Sequence, residues 1–508
     1  MSAQALRRRG FLKLMGIGIA GTAFAVPARA ATNAQKPNIV FFEVDDLLYR
    51  FMGHLGRKFV LTPNLDALAK EGVYFENAVC QGMMCGPSRN SLITGLYPHN
   101  IGFYKNGQMG PLPNGVWNLP AAMQRSGYTT AWVGKCHVHP PMNGTKRMPT
   151  SQALEKNMGF DFALASVGRA LLANRVNKGR NLDGDVYIEH LKKRGLLETY
   201  IKDCKTHAKV TSLPEDDYLD GFYTNTATKW IDGYQGKKPF FLWLNLSCPH
   251  GPHDVPKKYH DLYKDREIPP PLTDSFGEEI PAGLLRNNKA ATPAKIARAR
   301  RGYAAAVTFV DTMLGRMIGE LKKKGVFDNT VIVFFSDQGI FMGNHGYFHK
   351  GTVFNEITNA CLVMHYPKAF RKGVIDKHPV ELLGLVKTAL EIADAQESEK
   401  QVPFGESLLP LLTGKGDYRT QYVFSEIEGF QSCFDGRYRY IANPEKPLLY
   451  DLRSDPGEMK NIMKEHPEVA KRMQAAVEQW FRKTGAALPA GYLKDPRHLE
   501  SWKSPGRH

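Results

Sequence analysis

The sequence has little cysteine, and none of it is spaced as metal ribbons or redox centres require. Seven cysteines stand at positions 80, 85, 136, 204, 248, 361 and 433 of 508 residues, with no Cys-x-x-Cys pair among them. That excludes a zinc ribbon or a thioredoxin-type motif. It leaves disulfide pairing open in an exported chain. Acidic groups are in deficit: 67 Lys and Arg stand against 50 Asp and Glu, a net charge of +17. A basic balance favours acidic partners, yet no helix-turn-helix, RNA-recognition or zinc-finger pattern accompanies it, so no nucleic acid is expected. Beyond the N-terminus no apolar run is long enough to cross a bilayer, and no membrane span is expected. Internal repeats are absent. What is present, 43% apolar and 23% charged residues, is the composition of an ordinary globular protein. The length suggests two or three domains, or one large α/β domain with an appendage.

Residues 1–30 stand apart from the rest. Arg7-Arg8-Arg9-Gly10-Phe11-Leu12-Lys13 precedes a short, weakly apolar stretch, and Ala28-Arg29-Ala30 reads as a small-x-small cleavage site. This predicts a removable twin-arginine export signal and a periplasmic or secreted destination. Its five basic and no acidic residues leave +12 on the mature chain.

From residue 36 to about 400, short apolar strands alternate with helices. Continuous apolar runs at 38–44, 128–133, 240–246 and 330–336 predict strands covered on both faces. Thr62-Pro63 opens a helix that Gly72 closes, and 119–126 and 295–324 read as helices. The expected fold is α/β: a large, mostly parallel sheet flanked by helices. Past Gly414-Lys415-Gly416, segments 422–426, 438–441 and 448–452 predict a small antiparallel sheet, with a helix at 467–482. The expected division is a catalytic domain at 36–416 and a C-terminal subdomain at 417–508. Residues 141–230 are polar and long for a crossover, and predict a substrate-facing insertion. Residues 265–294 read as a surface loop.

What ends each strand is informative. The runs lead into Asp45-Asp46, into Gly134-Lys135-Cys136-His137, into Ser247-Cys248-Pro249-His250 and into Ser336-Asp337-Gln338-Gly339. In open parallel sheets, ligands bind beyond the carboxyl ends of the strands. Asp45, Asp46, Asp337 and Gln338 offer only oxygen donors, a set suited to Ca²⁺ or Mg²⁺ and poor for zinc. Residues 85–95, Cys-Gly-Pro-Ser-Arg-Asn-Ser-Leu-Ile-Thr-Gly, place a cysteine just ahead of a proline suited to a first helical turn. Cys85 would then face the positive end of a helix, with the planar fork of Arg89 one turn in.

This run resembles the sulfatase signature Cys-x-Pro-Ser-Arg-x-x-x-x-Thr-Gly. The resemblance extends over roughly residues 36–465. Lys36-Pro37-Asn38 through Asp45-Asp46 looks like the family's opening strand and paired metal aspartates. Gly127-Tyr128-Thr129-Thr130 through Lys135 and His137 looks like its second signature, with Cys136 departing from the usual bulky residue. Pro249-His250, Ser336-Asp337-Gln338-Gly339 with His345-Gly346 and Lys350, and Asp455-Pro456-Gly457-Glu458 match its later elements. The resemblance implies an alkaline phosphatase-like fold and hydrolysis of a sulfate ester. It implies oxidation of Cys85 to formylglycine by a cytoplasmic formylglycine-generating enzyme. The hydrated aldehyde would be the nucleophile and a ligand of a calcium ion, preferred here to magnesium. Arg89, Lys135 and Lys350 would stabilise the sulfuryl group, His250 or Lys350 would protonate the leaving oxygen, and His137 would deprotonate the hydrate. A sulfated carbohydrate or small sulfate ester is the expected substrate. Phosphonate or phosphodiester hydrolysis is the alternative, disfavoured by Gln338 where a histidine would favour it.

Overall fold

All eight residues of Asn38–Asp45 (β1) are buried, so the run shows no alternation of apolar and polar positions. The structure is a computed structural model describing residues 35–106, 111–138 and 150–485, apart from most of 273–291 and from 397, 400–402 and 444–445. The export signal expected at 1–30 lies outside the described residues.

β1 pairs in parallel with Phe240–Pro249 (β5) on one side and Thr330–Ser336 (β6) on the other. Thr129–Lys135 (β3) continues the sheet beyond β5, and Phe162–Ser166 (β4) forms that edge, both in parallel. Beyond β6 comes Leu362–His365 (β7), antiparallel to its neighbours, then Val73–Val79 (β2) and Val374–Glu381 (β8). The order is β4-β3-β5-β1-β6-β7-β2-β8. This is the large, mostly parallel sheet expected from the sequence.

Two apolar layers cover it. Ile39 and Phe41 of β1 enter one, while Val40, Phe42 and Val44 enter the other. In the first layer Phe41 meets Phe241, Trp243 and Phe335 edge-on, with centroids 5.2, 5.3 and 5.6 Å away. In the second lies the helix Pro293–Lys323, which buries Tyr303, Val307, Val310 and Leu314. Each such side chain contributes roughly 1.5–3 kcal/mol on burial.

The described part of residues 141–230 holds strand β4 and, after it, the helices Arg169–Asn177, Val186–Lys193 and Leu197–Lys205, before the helix Leu219–Gly233 leads into β5. The segment therefore adds an edge strand to the sheet as well as extra helices between β4 and β5.

Val423–Ile427 (β9), Phe430–Phe434 (β10), Tyr438–Ala442 (β11) and Leu448–Asp451 (β12) form the second, antiparallel sheet in the order β12-β11-β10-β9. The helix Pro467–Gly485 covers it, with Trp480 stacked on Phe424 at 4.7 Å. β9 is hydrogen-bonded to the chain just ahead of Cys85: Glu426 N donates to Gln81 O at 2.9 Å, and Ser425 Oγ donates to Cys80 O at 2.6 Å. The small sheet thus supports the segment that leads into the site. No helix among the described residues is long and apolar enough to cross a membrane.

Candidate active site

The ends of β1 and β6 are knotted together by short polar contacts. Asp337 N donates to Val44 O at 3.1 Å, and Asp46 N donates to Asp337 Oδ1 at 3.1 Å. Ser336 Oγ accepts from Leu47 N at 2.9 Å and donates to Gln338 O at 2.7 Å. Asp46 is held at φ 66°, a left-handed conformation that aspartate tolerates better than most residues. Tyr303, from the long helix, fixes it there by donating its hydroxyl to Asp46 O at 2.6 Å. Two aspartates turned off one strand thus meet a third from its neighbour. Oxygens of Asp45, Asp46 and Asp337 lie within 4.8 Å of one another, all buried.

Cys85 is the first residue of the helix Cys85–Thr94, after an extended Met84. Asn106 Oδ1 accepts from Gly86 N at 3.0 Å, and Ser88 Oγ donates to Asp337 O at 2.6 Å. The helix start is therefore tied both to its own loop and to β6. Cys85 Sγ donates to Asp45 Oδ1 at 3.1 Å and accepts from Lys350 Nζ at 2.8 Å. Lys350 also binds Asp46 Oδ1, and Lys135 binds Asp45 Oδ2.

Lys135 reaches this point because Gly134, at φ 117°, lets β3 and β5 approach. A Cβ there would stand 1.9 Å from Asn245 O. At the end of β5, Asp220 accepts from the amides of Ser247 and Cys248 at 2.5 and 2.9 Å. His250 follows. Its Nδ1 donates to Gly251 O at 2.7 Å, which turns Nε2 toward Asp46 Oδ2 at 3.6 Å. His137 is placed next to the same helix, its carbonyl accepting from Asn90 Nδ2 at 3.1 Å.

Arg89 lies deeper than the sequence suggested. Its Nε donates to Asp337 Oδ2 at 2.9 Å, and its Nη1 donates to Asn245 Oδ1 at 3.0 Å and faces Glu43 Oε1 at 3.1 Å. It acts first on the carboxylate of Asp337. Among the described residues its Nη2 has no protein acceptor.

The charges sort the protonation states. Burial alone would raise Asp45, but Lys135, His250 and Lys350 hold it well below the usual carboxylate range. Burial, reinforced by Asp45, raises Asp337 well above it. Burial keeps His250 below its ordinary value, against the pull of Asp46 and Asp45. Burial works against the ammonium of Lys350, but Asp46 outweighs it and raises that group well above the usual lysine value. Burial, aided by Asp45, pushes the Cys85 thiol up to about 12. A thiol so buried is protonated at neutral pH and is a poor nucleophile as it stands.

Gln338 tests the fit of a metal ion. Its Nε2 binds Asp46 Oδ1, while its Oε1 is buried without a hydrogen-bond partner among the described residues. Three clustered carboxylates with an amide oxygen in want of a partner fit a hard divalent cation. Asp45, Cys85 and His250 also bring one ligand atom each within 4.8 Å of one another.

All the residues singled out in sequence are thus placed at the ends of β1, β3, β5 and β6 or on the Cys85 helix and the Lys350 segment. Sequence reasoning missed Glu43, Asn106, Asp220, Asn245 and Tyr303. Asn106 acts on Gly86 across 20 residues, so no local capping pattern marks it in the sequence. Lys105, next to Asn106, pairs its ammonium with Glu428. No disulfide joins any of the seven cysteines.

Known proteins are similar to this chain in sequence and fold. The family model named Sulfatase matches residues 37–395, and that of N-sulphoglucosamine sulphohydrolase, C-terminal, matches 343–483. An arylsulfatase of Clostridium perfringens is 28% identical over 468 residues, covering 84% of this chain and 90% of its own. An N-acetylglucosamine-6-O-sulfatase of Bacteroides thetaiotaomicron is 26% identical, covering 84% of this chain and 83% of its own. The solved phosphonate monoester hydrolase of Agrobacterium radiobacter shares the fold with a TM-score of 0.74 at 21% identity, over 88% of this chain and 96% of that one.

Proposed function

The chain belongs to the sulfatase family and is a sulfuric ester hydrolase, and we propose that it is exported and desulfates carbohydrates with a formylglycine made from Cys85 and a calcium ion. The observation that carries this reading is the setting of Cys85. Its Sγ lies against Asp45 and Lys350 at the mouth of an oxygen-only donor set. A thiol raised to about 12 is useless there as a thiolate, but the same position suits a modified side chain bearing oxygen. The relative acting on N-acetylglucosamine 6-O-sulfate supports a carbohydrate substrate. Residues 1–30 support export.

In this reading Asp45, Asp46, Asp337 and Gln338 would hold the ion. When bound, it polarises a sulfate oxygen. A formylglycine at position 85 would supply a hydrated aldehyde as nucleophile. The chain's own residues do the rest. Lys135 and Lys350 bring two fixed ammonium charges beside Cys85, where negative charge develops on the transferring group. His250, its Nδ1 tied to a carbonyl, presents Nε2 for proton exchange with the leaving oxygen. His137, whose carbonyl is held by Asn90, would take a proton from the nucleophile's second hydroxyl, as the family resemblance implies. Arg89 keeps Asp337 turned to the site. The second reading, phosphonate or phosphodiester hydrolysis, has the fold shared with the phosphonate monoester hydrolase behind it.

The test is turnover by protein made in a host with the formylglycine machinery. The panel holds sulfated sugars, an aryl sulfate and an aryl phosphonate. Sulfated sugars are expected to be the best substrates, with chelation abolishing turnover and calcium restoring it. Faster phosphonate cleavage would favour the second reading, and recovery with zinc but not calcium would refute the ion.

A further inference from the structure

Glu43 is a buried acid that the reaction outlined above does not use. It stands in the middle of the sheet, two residues before Asp45 and on the same face of β1. Below it on that face lie Phe41 and its aromatic neighbours, and above it lies the site. An ionised carboxyl in such a place is costly unless it is paired and hydrogen-bonded. Glu43 is both. Its Oε2 accepts from Trp243 Nε1 at 2.7 Å, and its Oε1 faces Arg89 Nη1 at 3.1 Å. Replacing a buried ion pair by apolar residues is often neutral or stabilising, so stability is a weak reason for keeping one.

The geometry gives a better reason. Arg89 lies between Glu43 and Asp337, and all three side chains are at most 1% exposed. Asn245 shares Nη1 at 3.0 Å and is itself fixed by donating to Trp243 O at 3.1 Å. Without Glu43, the single charge of Arg89 would fall wholly on Asp337, the carboxylate that the cation needs. With Glu43, Arg89 has a counter-charge of its own, and its planar fork is pinned from both sides.

We propose that Glu43 is a positioning residue of the metal site: through Arg89 it sets the orientation of Asp337 and leaves that carboxylate charge available to the cation. The inference rests on the sulfatase reading and its calcium ion. Partners of metal ligands commonly cost 10–100-fold in affinity or activity when changed, and an effect on the order of 10-fold is expected here.

Glu43→Gln keeps the shape and the acceptor for Trp243 but removes the charge. Calorimetric calcium titration of the full, metal-stripped chain should show Kd weakened about 10-fold, with kcat on an aryl sulfate reduced about 10–100-fold and KM nearly unchanged. Glu43→Asp keeps the charge and should bind calcium nearly as the parent does. If Glu43→Gln does not fold, that Asp variant carries the test alone. A Gln variant with parental Kd and kcat overturns the inference, as does an Asp variant that loses calcium affinity about 10-fold. A parent chain that binds no calcium overturns both the inference and the ion assignment. Parental binding equalled by Glu43→Gln overturns the inference alone.

Discussion

Cys85→Ala is expected to reduce sulfate-ester hydrolysis to background while leaving the fold intact. No aldehyde forms from alanine, so no hydrate is available to attack sulfur. Removal of a covalent nucleophile in a serine protease costs on the order of 10⁶ in kcat, and a loss of that order is expected here. Stability should change little, because Asp45 keeps Lys135 and Asp46 keeps Lys350 when the sulfur is gone. The Cys85 side chain lies against Asp45 and Lys350. The structure buries it to 1% exposure, so the alanine variant leaves a small cavity beside polar groups. Thermal unfolding and turnover measured on one preparation separate the two effects. Residual activity within about tenfold of the parent would remove Cys85 from the role of nucleophile.

Lys350→Ala is the second large effect. Loss of one preorganised charge-stabilising group commonly costs about 10²–10³ in kcat. The structure adds a sign that distinguishes this lysine from a structural one. Its ammonium pairs with Asp46 and lies 3.8 Å from Asp45, two of the carboxylates assigned to the ion. Removing it therefore lowers the positive charge around the cation site. Calcium affinity should hold or improve while kcat collapses. A variant that loses calcium affinity and turnover together would show Lys350 to be a strut of the metal site instead.

The main sheet was legible for a physical reason. β1, β5 and β6 are buried on both faces, so their sequences are unbroken apolar runs. Charged residues stand out at their ends for the same reason, which is why Asp45, Asp46 and Asp337 could be read together. The two edge strands and the interior β7 were not legible. β8 reads Val-Ile-Asp-Lys-His-Pro-Val-Glu, with half its residues outside the core, and β7 has only four residues. β4 was concealed inside a segment read as an insertion.

The site was read at its surface and missed in its depth. Lys135, His250 and Lys350 follow strands or lie in motif-like runs. Glu43 is a single acid inside an apolar run, and nothing local distinguishes it from a solvated strand residue. Asp220 and Tyr303 act across gaps of 27 and 257 residues, on Ser247 N and Asp46 O. Such contacts carry no sequence period. Arg89 was placed on the right helix, but only the three-dimensional neighbours Glu43 and Asp337 show which way it points.

The central claim is that Cys85 acts in modified form, and mass spectrometry of the peptide spanning residues 85–95 tests it most directly. Protein made with the formylglycine machinery should carry an aldehyde at position 85, trapped by a hydrazide probe, in proportion to its sulfatase activity. Fully active protein with an unmodified thiol, or with Cys85 in a disulfide, would contradict the account.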